Sequence, residues 1–294
     1  MRNNIIYIPI LCAFMACLGL LVACSAGPSD KPIVTVSIEP QKYLLEQITG
    51  DRVEIRTLIA NGANPETYDP SLTHVLNLSK SIGFLRMGNI GFEAAMLDKI
   101  RQEDPELPIF NTSLGVLPVT GTHSHGDVSH ETIDPHTWSS VKNAKIIVRN
   151  MLNAMVEIDP ANKGYYQRNY DRFANHLDSL DNAIAEKLKA HSGEAFMVWH
   201  PSLSYFARDY NLEQIPAGNS DNKEIAISTL KEAIDHASDH GAKVFFYQKD
   251  FDSRQAESMV EQLEIRKVSI NPLAYEWEDE IVSIADAIAG NGTL

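Results

Sequence analysis

The sequence predicts an α/β protein of two lobes, each built on a mostly parallel sheet and joined by one long helix. Short β-branched runs alternate with helix-length segments from Ile33 to Leu114. The same alternation restarts at Ala195 and continues to Ala289. Between the two lies a stretch with no proline after Pro160 and no glycine after Gly164, in which Tyr166, Tyr170, Phe173, Leu177, Leu180, Ile184 and Leu188 recur at three- and four-residue spacing. Strands alternating with helices indicate parallel βαβ units, and the spacing of the middle stretch places one apolar stripe on a helix.

The N-terminal unit reads as strand Ile33–Ile38, helix Tyr43–Thr49, strand Val53–Ile59, helix Pro70–Ser79, strand Ile82–Met87, helix Phe92–Gln102 and strand Pro108–Leu114. The C-terminal unit reads as strand Ala195–Trp199, helix Leu203–Tyr210, strand Leu212–Ile215, helix Thr229–His240, strand Lys243–Gln248, helix Arg254–Leu263, strand Arg266–Ile270 and helix Asp279–Ala289. Thr229 and Glu232 have capping-box spacing and Gly241 follows as a stop signal. The middle helix, at 1.5 Å per residue, spans roughly 40 Å over about 28 residues. Units of one type flank it, so it is read as the connection between lobes. The expected division is a signal segment over 1–23, a tether over 24–31, an N-terminal lobe over 32–158, the linker over 159–190 and a C-terminal lobe over 191–294.

The first segment carries one charge, Arg2, before an apolar run from Ile5 to Ala23 that ends in Leu-Val-Ala-Cys24-Ser. This is the order of a secretory signal. Its ending resembles a bacterial lipobox, which implies that Cys24 is acylated and becomes the first residue of the mature chain. An uncleaved anchor is the other reading of an apolar run of this length; both put the remaining chain outside the cytoplasm. All three cysteines, Cys12, Cys17 and Cys24, fall in this segment, so the domain has neither a disulfide nor a thiolate metal site. A chain of this size buries enough surface to fold without them. The net charge of −14, from 25 basic and 39 acidic residues, argues against nucleic acid as a partner.

Four metal-capable residues follow strands. Glu66 lies in NPETYDP after the second strand, and His136 closes a polar loop, GTHSHGDVSHETIDPHTW, after the fourth. His200 directly follows Ala195–Trp199, and Asn271 follows Arg266–Ile270. Ligands of open α/β sheets bind beyond the carboxyl ends of the strands, and clefts between lobes favour them too. Two such residues come from each unit. Proline neighbours each of the four and stiffens the backbone that must present them. The polar loop also holds His123, His125 and His130, placed to collect metal loosely; a merely polar loop is the other reading. His74, His176, His191, His236 and His240 lack partner spacing and read as surface or capping residues. Trp138 and Trp199 lie within two residues of a candidate ligand and either wall the site or fill the core.

NPETYDP, DPHTW, VWHPSLSYFARDYNLEQIPAG and INPLA resemble the solute-binding proteins of ABC importers for zinc, manganese or iron (the ZnuA and TroA type), over essentially the whole mature chain. The resemblance implies two α/β lobes joined by a rigid helix, a metal in the interlobe cleft, a permease and an ATPase as partners, and a lipid-anchored monomer outside the cytoplasm. His136 and His200 match the family's second and third histidines. Glu66 stands where the family usually has its first histidine, and Asn271 where many members have aspartate. The ligand charge is −1 in either set. Zn²⁺ accepts such donors in tetrahedral geometry, and the added oxygen makes Mn²⁺ or Fe²⁺ an alternative. Asn271 either ligates weakly, supports a ligand, or leaves room for water. Rival functions are a zinc hydrolase with a His₂Glu site and a manganese- or iron-binding adhesin-type lipoprotein. The chain has no HExxH motif, phosphate loop or nucleophile elbow, so an enzyme is not expected.

Overall fold

The structure, a computed structural model, describes residues 31–59, 65, 68–69, 71–125, 128–217, 227–248 and 265–290. Strand β1 (Ile33–Val36) passes through helix α1 (Glu39–Thr49) to β2 (Glu54–Thr57), then through α2 (Leu72–Leu78) to β3 (Gly83–Arg86), and through α3 (Gly91–Glu103) to β4 (Ile109–Asn111). The four strands are parallel in the order β2-β1-β3-β4. The apolar runs of β1 and β3 are almost fully buried, as expected for a parallel sheet covered by helices on its faces.

The second sheet repeats this plan. It contains β7 (Ala195–Val198), β8 (Glu213–Pro216), β9 (Val244–Tyr247) and β10 (Arg266–Ser269), with helices α6 (Ser204–Asp209), α7 (Ile227–Asp239) and α8 (Trp277–Ile288). Its parallel order, β10-β9-β7-β8, is the first sheet's order with each strand advanced to its counterpart. In each sheet the chain leaves its first strand towards one side and then jumps back across it. The crevice beyond the carboxyl ends of first and third strands is therefore the place for a ligand. In the N-terminal sheet that place is filled from within. Glu93, on α3, is fully buried and accepts from Ser37 Oγ (2.5 Å), Met87 N (2.7 Å) and Gly88 N (2.8 Å). Gly88 has φ 137°, a conformation glycine adopts without a Cβ penalty. Burial pushes the Glu93 carboxyl above its ordinary value, against the pull of those donors and Arg86.

The linker is α5 (Lys163–Leu188). Tyr166, Asn169, Phe173, Leu177, Leu180, Ile184 and Leu188 are its buried face; each fully buried leucine or phenylalanine there contributes about 1.5–3 kcal/mol. The stripe is the expected one except that Tyr170 is half-buried and Asn169 takes the inner position, donating to the Ile48 carbonyl of α1 (2.9 Å). Further along, His176 contacts Glu278 (2.8 Å) and Lys187 pairs with Asp286, both on α8. One helix thus touches both lobes.

Two elements depart from the sequence reading. The polar loop contains an antiparallel ribbon, β5 (Thr120–His125) with β6 (Val128–Ile133), in which His123 stands opposite His130. Helix α4 (Val141–Ile158), which the reading left unassigned, is capped by Ser140, whose Oγ accepts from Asn143 N (3.2 Å). It packs through Ala144, Ile147, Val148, Met151 and Met155. In addition, α7 already runs from Ile227, so Thr229 lies inside it and does not cap it. The expected helix Arg254–Leu263 lies outside the described residues. Among the described residues, no helix is long and apolar enough to cross a membrane.

Candidate metal centre

The second sheet's switch point ends differently from the first. Strand β7 alternates faces: Ala195 and Met197 pack with Trp199 in one apolar cluster beside α7, while Phe196 and Val198 join the main core. Trp199 therefore fills core space and does not wall a site. The next residue, His200, is buried at the carboxyl end of β7.

The segment after β6 comes to meet it. Asp134 Oδ1 accepts from the His136 backbone N (2.8 Å) and contacts His136 Nδ1 (2.8 Å). Burial would raise the Asp134 carboxyl, but the His136 charge and hydrogen bonds from His136 and Ser204 outweigh it and hold the group below its ordinary value. When His136 is neutral, as a metal ligand must be, the Asp134 carboxylate favours its proton at Nδ1 and leaves Nε2 as the donor atom for a metal. The two Nε2 atoms of His136 and His200 are 3.1 Å apart, with ring centroids 5.0 Å apart and planes crossed at 80°. Two nitrogens about 2.0–2.1 Å from a tetrahedral zinc lie about 3.3 Å apart. The pair is thus already at ligating separation, in a buried setting.

Both lobes hold this segment. Tyr205 of α6 donates to the Asp134 carbonyl (2.8 Å) and accepts from Val119 N (3.3 Å). Ser113 Oγ meets Thr137 Oγ1 at 2.8 Å, and Asn143 Nδ2 donates to the Thr137 carbonyl (3.0 Å). Trp138 lies beside His136, ring centroids 5.2 Å apart, and donates from Nε1 to the Pro272 carbonyl (2.7 Å); Trp277 Nε1 donates to the Trp138 carbonyl (2.7 Å). The DPHTW and INPLA motifs therefore meet. Trp138 both flanks the histidine and is part of the core.

Of the four residues expected to ligate, the structure brings His136 and His200 together. Asn271 is exposed; its backbone N donates to Glu280 (2.7 Å) and its amide oxygen accepts from Leu273 N (3.2 Å), an Asx turn. Burial raises the Glu280 carboxyl in spite of that bond. Glu66 and Cys24 lie outside the described residues, and for His123, His125 and His130 the structure describes the ribbon backbone alone. The reading missed Asp134 and Tyr205, although Asp-Pro-His spacing was a usable signal for the first. The remaining histidines lie at or near the surface, as expected, but each has a polar partner. His74 bonds Tyr68 and Ser71, His176 meets Glu278, His191 meets Glu194, and His236 and His240 both meet Glu213.

Comparison with known proteins agrees with this architecture. The family profile described as zinc-uptake complex component A, periplasmic (ZnuA), matches residues 34–289. The high-affinity zinc uptake system protein ZnuA of Bacillus subtilis is 25% identical over 297 residues, covering 94% of this chain and 92% of that protein. The manganese ABC transporter substrate-binding lipoprotein PsaA of Streptococcus anginosus is 24% identical over 208 residues, 65% of each chain. A crystal structure of ZnuA superposes with a TM-score of 0.79 at 30% identity, over 89% of this chain and 99% of that one. With two like-ordered parallel sheets, a joining helix and a profile match over most of its length, the chain belongs to the ZnuA family of periplasmic zinc-uptake components.

Proposed function

We propose that this protein is the extracytoplasmic solute-binding component of an ABC importer, that it captures Zn²⁺ between its lobes, and that it hands the ion to a membrane permease driven by an ATPase. The observation that carries this reading is the buried His136–His200 pair, two imidazole nitrogens 3.1 Å apart contributed by different lobes. An ion held this way is gripped by both lobes and released when they part, which is capture and delivery; a hydrolase needs an open coordination position and a substrate cleft beside it. The names of the ZnuA relatives support zinc, and that of PsaA supports Mn²⁺ as the alternative; Fe²⁺ is chemically close to it. Native mass spectrometry of protein purified without chelator tests the reading. One tightly held zinc per chain, with no hydrolytic turnover, is expected; a metal-free protein that acquires none from a zinc buffer overturns it.

Glu66 completes the ligand set in this proposal, with Asn271 beside it. Glu66→Gln keeps the size and removes the charge, so zinc affinity should fall steeply, and Glu66→His should shift preference towards zinc over manganese, since imidazole suits zinc and carboxylate suits manganese. A Glu66→Gln protein that binds zinc as the parent does removes Glu66 from the site. The chain acts as a monomer, with residues 24–31 as tether, 32–158 and 191–294 as lobes and 159–190 as linker. Cys24 carries the lipid that holds it to the membrane. Cys24→Ser should abolish membrane partitioning and processing at that residue; unchanged partitioning refutes the anchor.

A further inference from the structure

Helix α7 ends in a turn that carries two histidines. His236 is on its last turn, and His240 lies one residue past Asp239, its backbone N still donating to the His236 carbonyl (3.0 Å). Gly241, at φ 62°, then ends the helix. Residues four apart share a helix face, and the two rings lie 4.3 Å apart between centroids. Facing them is Glu213, the first residue of the edge strand β8. Its carboxylate is 3.3 Å from His236 Nε2 and 2.6 Å from His240 Nδ1. The neighbouring carboxylate, Glu194, is taken by Lys243 (3.1 Å) and His191 (3.0 Å).

We infer that Glu213, His236 and His240 form a second metal site, on the surface of the C-terminal lobe, for a borderline divalent cation of the zinc type. One donor atom from each lies within 4.8 Å of the other two. A tetrahedral ion needs its ligands about 3.3 Å apart, so small rotations of exposed side chains, which occur in picoseconds to nanoseconds, close the set. Two imidazoles and one carboxylate select Zn²⁺, Cu²⁺ or Ni²⁺ over Mg²⁺ and Ca²⁺, which prefer all-oxygen shells. About half of each histidine side chain is exposed (48% and 45%), which leaves a coordination position for water and an open route for entry. The helix C-terminus adds partial negative charge where the cation sits.

This site cannot share an ion with the buried pair. Glu213 is level with Ala195 in the parallel register of β7 and β8, whereas His200 follows the opposite, carboxyl end of β7. The five residue steps from Ala195 to His200 correspond to on the order of 15 Å of extended chain. The inference is also independent of the importer reading, and the two are tested in separate variants.

The test begins with the mature chain carrying His136→Ala, His200→Ala, His123→Ala, His125→Ala and His130→Ala, titrated with zinc chloride alone by calorimetry and with Co²⁺ by visible absorption. One zinc per chain should remain, with the intense visible bands of low-coordinate Co²⁺, and adding His236→Ala should weaken it more than about tenfold, the lower bound for loss of even an orienting partner. In parallel, His236→Ala with His240→Ala in the otherwise unaltered chain should delete one weaker zinc equivalent and keep the tight one, a readout that does not depend on the five-fold variant folding. No binding at millimolar zinc in the first experiment, with no equivalent lost in the second, overturns the site and leaves Glu213 as an ion-pairing partner of two surface histidines.

Discussion

His136 with His200 and His236 with His240 offer the same donor atoms in nearly opposite surroundings. The first pair is 64 residues apart in sequence, buried, and closed by elements from both lobes. The second lies on one helical turn, half-exposed, and needs only the nearby edge strand to supply a carboxylate. In the first, Asp134 fixes the His136 tautomer and Tyr205 and Trp138 fix the segment around it. In the second, the contacts described for each ring are Glu213 and the other ring. Ordering a free side chain costs up to about 1.5–2 kcal/mol on binding, so donor identity alone does not set affinity. On the proposed reading the fixed, desolvated pair would hold an ion tightly and the exposed, hydrated pair would hold one weakly. That division suits a carrier whose cargo must be bound firmly between lobes and met loosely at the surface.

The most severe way to break the comparison is to remove a buried donor. His136→Ala or His200→Ala should weaken the tight zinc more than about 100-fold, since loss of an orienting partner alone costs 10–100-fold; competition against a chromophoric chelator measures it. A tight site that survives either change would mean that the pair is not the centre of binding. Asp134→Asn sharpens the comparison by making the buried pair resemble the exposed one. The amide keeps the shape and removes the charge that favours the Nδ1 proton, so zinc affinity should fall about 10–100-fold while thermal unfolding of the metal-free protein changes much less. Equal losses in both would make Asp134 a purely structural residue. The smallest effect is expected in the ribbon. Replacing His123, His125 and His130 together with alanine should leave the tight equivalent unchanged and remove weaker binding alone, as dialysis with metal analysis would show. Loss of the tight equivalent would move the site into the ribbon.

Much of the fold was legible because it is written in local period. The β-branched runs of β1, β3 and β7 and the stripe of α5 each follow from spacing, and the seven stripe positions miss only where Asn169 replaces Tyr170 on the inner face. Helix α4 has the same periodicity and was equally readable in principle. The ribbon was not, since TGTHSH and VSHETI show no apolar alternation; backbone pairing builds it without a hydrophobic face. The exposed histidines show the same limit in reverse. Their four-residue spacing is plain in the sequence, but Glu213 precedes His236 by a strand-to-helix crossover, and nothing local announces that the three converge.

The sequence by itself determined the class of the protein: two parallel α/β units, a long connecting helix, and polar, metal-capable residues at strand ends. These follow from hydrophobic periodicity and strand polarity, which act over a few residues and survive any arrangement of the lobes. Only the tertiary structure decided which of those residues meet. It set His136 against His200, gave Asp134 to one of them, placed Trp199 in the core and Trp138 between the lobes, and turned the Asn271 amide oxygen to its own turn. The reason is that a contact between residues 64 positions apart depends on how two sheets and a linker pack as bodies, and no local preference encodes that packing.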